Sequence, residues 1–361
     1  MKKSYLALAV LAASSSAAWA QSSVTMYGIM DVGVRYTTNA GATAASNNQS
    51  ISSVIPGGMS QSRLGFNITE DLGGGLKAIA NLEHRLSSDT GTAAAGDFWR
   101  QSWVGLQSSD FGRITLGRQY NVLFDVYTST YASYKYSPYV EAYKPELGMS
   151  LGARNDNMVK YLIESGGLRG EVQASAGEGN ATTVGANGKS LGGMVRYAMG
   201  EFAVGGGYLE VNDTAGKKVK ATTFGGGWTS GPWYVSAAWA RNSFDIGFNP
   251  TLIATYAGSI SGALNANAAL AKSRDMYSVG ATYQLTPQLN LGAHYWRADQ
   301  KGTSAAGEGQ GDFFNVVADY AFSKRTDAYI EYDHTKIGGM LTFANGATTR
   351  DGFVVGVRHR F

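Results

Sequence analysis

Apolar and polar residues alternate one by one along most of this chain. Tyr277, Val279, Ala281, Tyr283 and Leu285 share one parity, while Ser278, Gly280, Thr282 and Gln284 share the other. The same rhythm sets Leu289, Leu291, Ala293 and Tyr295 against Asn290, Gly292 and His294, and Phe314, Val316, Ala318, Tyr320 and Phe322 against Asn315 and Asp319. A period of two predicts strands with one apolar and one wetted face. Aromatics sit near the ends of these runs and small aliphatics between them, as a lipid-facing band between two interfacial girdles requires. A soluble sandwich has no reason to segregate its aromatics in this way.

Turn residues divide the strands into a regular series. Tight turns are predicted at 71–75, 108–112, 165–167, 198–200, 230–231, 286–288 and 324–325, rich in the Gly, Asp and Ser that hairpins need. Long polar connections are predicted at roughly 38–60, 88–96, 121–153, 178–189, 213–217, 244–272, 301–311 and 339–348. Seven short turns and eight long loops make sixteen strands that begin and end on the same side. The expected fold is all-β: a sixteen-stranded antiparallel transmembrane β-barrel. An unpaired amide in hydrocarbon costs several kcal/mol, so such a sheet must close. The last strand, alternating as FVVGVRHRF to the final Phe361, must then pair with the first. Sixteen strands at about 4.8 Å spacing and about 45° tilt give a tube about 35 Å wide, too wide for side chains to fill.

Composition narrows the remaining choices. Residues 1–20 carry Lys2, Lys3, an apolar run and a small-residue ending at Ala18 and Ala20, the pattern of a cleaved signal peptide, leaving 21–361 as the barrel domain. Loss of those two lysines takes the formal charge from +3 to +1, which argues against a nucleic-acid partner. Cys is absent, so neither disulfides nor thiol chemistry are available. Only His84, His294, His334 and His359 could act as imidazole bases, and no nucleophile elbow or HExxH occurs, which disfavours an enzyme. No His pair sits at ligand spacing, and neither a cofactor nor a structural metal is expected.

Six segments, SSVTMYGIMDVGV (22–34), SRLGFNITEDLGGGLKAIANLE (62–83), RQSWVGLQSSDFGRITLGRQY (100–120), PELG (145–148), ARNDNMVKY (153–161) and GVRHRF (356–361), resemble the general porins of Gram-negative outer membranes, most closely those of β-proteobacteria. The resemblance spans essentially the whole mature chain. It implies an outer-membrane channel for passive diffusion of ions and small hydrophilic solutes, assembled as a homotrimer in contact with the lipid bilayer and lipopolysaccharide. It further implies that Phe361 and its alternating partners His359, Val357, Val355 and Phe353 form the signal read by the outer-membrane assembly machinery.

The resemblance also implies that loop 121–153 folds inward as a constriction. Its length and its tyrosines 127, 131, 134, 136, 139 and 143 agree, since phenols can cover an interior wall while their hydroxyls stay wet. The basic side of the constriction would comprise Arg35, Arg63, Arg100 and Arg154. Arg63 alternates with Leu64, Phe66 and Ile68, and Arg100 opposes Gln101 and Trp103. A charge on the lipid side near mid-bilayer would cost about 2–4 kcal/mol, which favours the lumen. The acidic side would comprise Asp125, Glu141 and Glu146 of the loop, with Glu83 and Asp31 of lumen parity. A transverse field between the two sides would separate cation and anion paths, with Lys135 and Lys144 tilting the balance weakly towards anions. Arg118, of outward parity, is expected at the trimer interface, pairing with Asp89 or Asp97 of a neighbour. A substrate-specific channel using the loop tyrosines, or an adhesin displaying loop 244–272, remains an alternative.

Overall fold

A computed structural model describes residues 22–93, 99–134, 153–180, 183–213, 215–248 and 270–361. The signal segment, the far half of the constriction loop with Glu141, Glu146, Lys135 and Lys144, the candidate partner Asp97 and most of loop 244–272 lie outside the described residues.

The strands run β1 (Ser23–Thr37), β2 in two halves (Ile51–Ile55 and Arg63–Gly73), β3 (Leu76–Ser87), β4 (Trp99–Ser108), β5 (Gly112–Tyr120), β6 (Arg154–Ser165), β7 (Leu168–Ser175) and β8 (Ser190–Met199). They continue as β9 (Phe202–Asn212), β10 (Lys218–Ser230), β11 (Trp233–Phe244), β12 (Ala271–Gln284), β13 (Leu289–Gly302), β14 (Gly309–Ala321), β15 (Thr326–Gly339) and β16 (Thr349–Arg360). Each strand pairs antiparallel with its successor, and β1 pairs with β16 from Ile29↔Arg360 to Thr37↔Gly352. The sheet is therefore closed, as sixteen strands in a bilayer demand. The expected short turns supply positive φ through glycine where it is needed, as at Gly73, Gly74 and Gly75.

Closure is completed at the last residue. Gly28 N–H donates to the Phe361 carbonyl at 3.0 Å, and Phe361 N–H donates back to the Gly28 carbonyl at 3.1 Å. The Phe361 ring covers Gly28 so closely that a Cβ there would stand 2.3 Å from the ring. Phe353, Val355, Val357 and His359 face outward and exposed, while Gly352, Val354, Gly356 and Arg358 face inward and buried. The terminal alternation thus reflects one lipid face and one lumen face on the strand that seals the barrel.

Two departures from simple alternation bear on the lumen. The first loop is shorter than the sequence indicates, because Ile51–Ile55 pairs with β1 from Thr37 to Gly33. Between the halves of β2, residues 57–62 leave the wall and are buried on the inner side, with Met59 completely enclosed. The second departure is at Arg100. Glu83 pairs with Gln101 and His84 with Trp99, so Arg100 is an extra residue in a bulge. Gln101 and Trp103 share the face of Glu83 and Asn81, so Arg100 reaches the lumen through the bulge, correcting the expectation that it opposes them by parity.

Candidate functional site in the lumen

The constriction loop begins at Asn121, whose side chain accepts from Phe124 N–H at 3.0 Å and caps the short helix α1 (Val122–Val126). A π-turn, Tyr127–Tyr131, continues the coil, and the described part ends at Tyr134. This segment lies against inward-facing residues of successive strands. Val122 N–H donates to Gln173 of β7, Arg196 of β8 to the Ser129 carbonyl, and Tyr234 Oη of β11 to the Ala132 carbonyl. Tyr131 Oη is 2.7 Å from Thr223 Oγ1 of β10, Tyr134 Oη donates to Asn315 of β14, and His294 Nδ1 of β13 is 3.1 Å from the Ser133 carbonyl.

The loop can lie this close because the wall beneath it lacks side chains. Gly205 and Gly207 of β9 and Gly225 and Gly227 of β10 form a bed into which Leu123, Val126, Thr130 and Tyr131 settle. A Cβ on Gly225 would meet the Tyr131 ring at 2.7 Å, and one on Gly292 would meet Tyr134 at 2.4 Å. The signal for this bed was in the sequence, as GGG in the middle of two successive strands where glycine is otherwise unfavourable.

The predicted basic residues are brought largely into one cluster. Arg100 Nε lies 3.0 Å from Glu83, and its Nη2 donates to Tyr120 Oη at 3.0 Å. Arg63 is 3.8 Å from the other oxygen of Glu83, and Arg154 stacks over the Tyr120 ring at 5.6 Å. Arg63, Arg100 and Arg154 therefore form a row across β2, β4 and β6, with Glu83 linking Arg63 to Arg100 and Tyr120 linking Arg100 to Arg154. Glu83 does not stand across the gap from them, as expected, but inside the row. It sits on β3, between the strands that carry Arg63 and Arg100, opposite Gly65 and Gln101, within reach of both long side chains. Tyr27 Oη donates to the same carboxylate at 3.0 Å.

Asp125 likewise fails to face the row. Its carboxylate is paired with Lys160 of β6, and the Lys160 ammonium is also 3.7 Å from Glu171. Asp31 is fully enclosed beneath residues 57–62. It accepts from Ser60 N–H at 2.7 Å, Gly58 N–H at 3.3 Å and Tyr329 Oη at 2.5 Å, so it anchors the inward segment and does not line open water. Arg35 is apart from the row and pairs with Asp333 of β15 at 2.9 Å.

Parity alone did not single out several lumen charges. Arg358 joins Asp327 at 3.0 Å and Ser60 at 2.8 Å, tying the sealing strand to the inward segment. A second basic series, Arg113, Arg169 and Arg196, runs nearer the short turns. Outside the lumen, Arg118 pairs with Asp156 and donates to the Trp99 carbonyl at 3.1 Å, so its guanidinium has partners within its own chain. His294, buried and stacked on Trp296 at 4.3 Å, braces the loop.

A model of the Gram-negative porin family matches residues 7–339. An outer membrane porin of Bordetella pertussis is 30% identical over the full length of both chains. Outer membrane porin protein 32 of Delftia acidovorans is 36% identical over 60% of this chain and 62% of that protein. Among solved structures, an anion-selective porin from Comamonas acidovorans superposes with a TM-score of 0.76 over 94% of this chain and all of its own, at 24% identity.

Proposed function

As a member of the Gram-negative porin family, the chain forms an outer-membrane channel for passive diffusion of ions and small hydrophilic solutes, and we propose that Arg63, Arg100 and Arg154 give it a weak preference for anions. The observation that carries this reading is the row itself: Arg100 and Arg154 flank Tyr120, and Arg63 joins Arg100 through Glu83. A lumen wall that is net positive at its narrowest level lowers the barrier for anions and raises it for cations. The outer-membrane protein whose fold is similar bears the description anion-selective, which points the same way. Loop 121–153 is the constriction in this reading, with Glu141 and Glu146 as its remaining acids.

The reversal potential in a KCl gradient tests the assignment. Arg63→Ser/Arg100→Ser should cut the chloride-to-potassium permeability ratio roughly twofold or more, whereas Glu83→Gln should raise it, because the row then loses a counter-charge that sits between Arg63 and Arg100. A double variant with the wild-type reversal potential would remove the row from the selectivity mechanism.

The functional unit in this reading is a homotrimer, each chain carrying its own pore. The Arg118–Asp156 pair would be presented on the outer wall where neighbours meet, and the outward residues Phe353, Val355, Val357, His359 and Phe361 would serve assembly. An Arg118→Ala protein whose trimer melts at the wild-type temperature in detergent would take Arg118 out of that interface.

A further inference from the structure

The underside of the constriction loop encloses space. A cleft of about 420 Å³ lies between loop residues 128–134 and the inner wall near the turn at 199–201. Its walls are small or flat: Ala132 above, Ala198 and Ala203 at the side, Gly227 and the Tyr234 ring beyond. Arg196, Glu201 and the hydroxyl residues Thr128, Ser129, Thr130 and Thr229 supply polar groups on the same surface. Chain termini and short turns share this end of the barrel, so the cleft opens on the side facing away from the long loops.

Arg196 is held but not neutralised. Its Nε donates to the Ser129 carbonyl at 3.0 Å, which fixes the plane of the guanidinium, and among the described residues its terminal nitrogens have no carboxylate partner. The neighbouring acids have partners of their own, and Glu201 also lines the cleft. Glu171 binds Arg169 and lies 3.7 Å from Lys160, and Glu164 is 3.3 Å from Arg169. Glu201 accepts from Trp228 Nε1 at 3.1 Å and from Ser230 Oγ at 2.5 Å. Arg196 is also the direct cross-strand partner of Arg169, whose own charge is balanced by Glu171 and Glu164.

We propose that this cleft is a holding site for small organic carboxylates, with the Arg196 fork binding the carboxylate and the alanine, glycine and tyrosine surface receiving the apolar body. A pre-oriented guanidinium matches a carboxylate through two parallel hydrogen bonds. The alanine, glycine and aromatic surface beside the guanidinium gives the body of an organic anion a contact that chloride and inorganic phosphate cannot make. The site deepens the anion-preferring reading and rests on it.

Benzoate added to each compartment in turn, with channels in a planar bilayer carrying KCl, tests the site. Block is expected at millimolar concentration from one side only, the side of the short turns, with inorganic phosphate at equal concentration blocking weakly. Arg196→Gln should raise the half-blocking concentration about tenfold, the loss of one charge-assisted pair. Ala198→Leu, which fills the cleft without changing charge, should do the same. Ala198→Leu should keep the wild-type reversal potential, whereas Arg63→Ser/Arg100→Ser should change the reversal potential and keep the one-sided block, so the site and the selectivity row fail separately. Absence of benzoate block, block equal from both sides, phosphate blocking as strongly as benzoate, or block unaltered in both variants would each overturn the proposal.

Discussion

A Gly225→Leu channel should conduct about twice as much as the wild type, because the constriction loop can no longer lie on its bed. Gly225 faces the lumen under the Tyr131 ring, and even a Cβ would come within 2.7 Å of that ring and 2.8 Å of the Ala237 carbonyl. The strand cannot yield, since Gly225 is paired on both sides, with Gly205 and with Ala238. The loop yields instead. Tyr131, now almost wholly buried, would lose its bond to Thr223 and the burial of its ring, a loss of about 1.5–3 kcal/mol from burial alone. Single-channel conductance in a planar bilayer measures the result, with electrophoretic mobility of the unheated protein as the check that the barrel still forms. Unchanged conductance in a folded variant would mean that the first half of the loop does not set the bore.

Removing Phe361 should impair the barrel far more than its single-residue size suggests. The deletion breaks both bonds between Phe361 and Gly28 and uncovers the Gly28 backbone that the ring shields. Two backbone groups left without protein partners cost about 2 kcal/mol together where water can reach them, and more in hydrocarbon. Phe361→Leu separates the two contributions, since it keeps the backbone pair and loses only the ring. Thermal melting in detergent should rank wild type above Phe361→Leu and Phe361→Leu above the deletion. Outer-membrane yield in cells should fall in both variants if the ring is also the assembly signal. A deletion protein that melts with the wild type would show that the β1–β16 seam does not depend on its last pair.

The strands were legible because the membrane leaves little freedom: every wall position faces either lipid or lumen, and the chain alternates accordingly. Phe353, Val355 and Val357 could be assigned to the outer face with no other information. Parity failed where the ladder slips. Arg100 enters the lumen on a bulge whose extra residue leaves no trace in hydrophobic pattern, since its neighbours Gln101 and Trp103 are mixed in character. The inward segment 57–62 was equally hidden, because Gly58, Ser60 and Ser62 resemble any polar loop until Asp31 is seen to accept from the Gly58 and Ser60 N–H groups and, at its carbonyl, from the Ser62 hydroxyl.

Charge positions were readable as a set but not as partners. Glu83 was assigned to the lumen correctly and to the wrong side of the gap, because alternation gives the face of a residue and only register gives its neighbours. Asp125 illustrates the same limit: a loop acid was expected to face the arginines, yet α1 turns it towards Lys160 on the wall behind. The glycine bed carried the strongest overlooked signal. Two GGG runs in adjacent strand centres are costly for a strand unless something must approach the backbone, and here that is the loop.

The most direct test of a water-filled pore with a positive constriction is the wild-type protein alone, purified in detergent, inserted into a planar bilayer and recorded in a KCl gradient. The expected record is a series of ohmic openings grouped in threes, with the reversal potential displaced towards the chloride equilibrium value. A membrane that stays non-conducting, or a reversal potential displaced towards potassium, would contradict it.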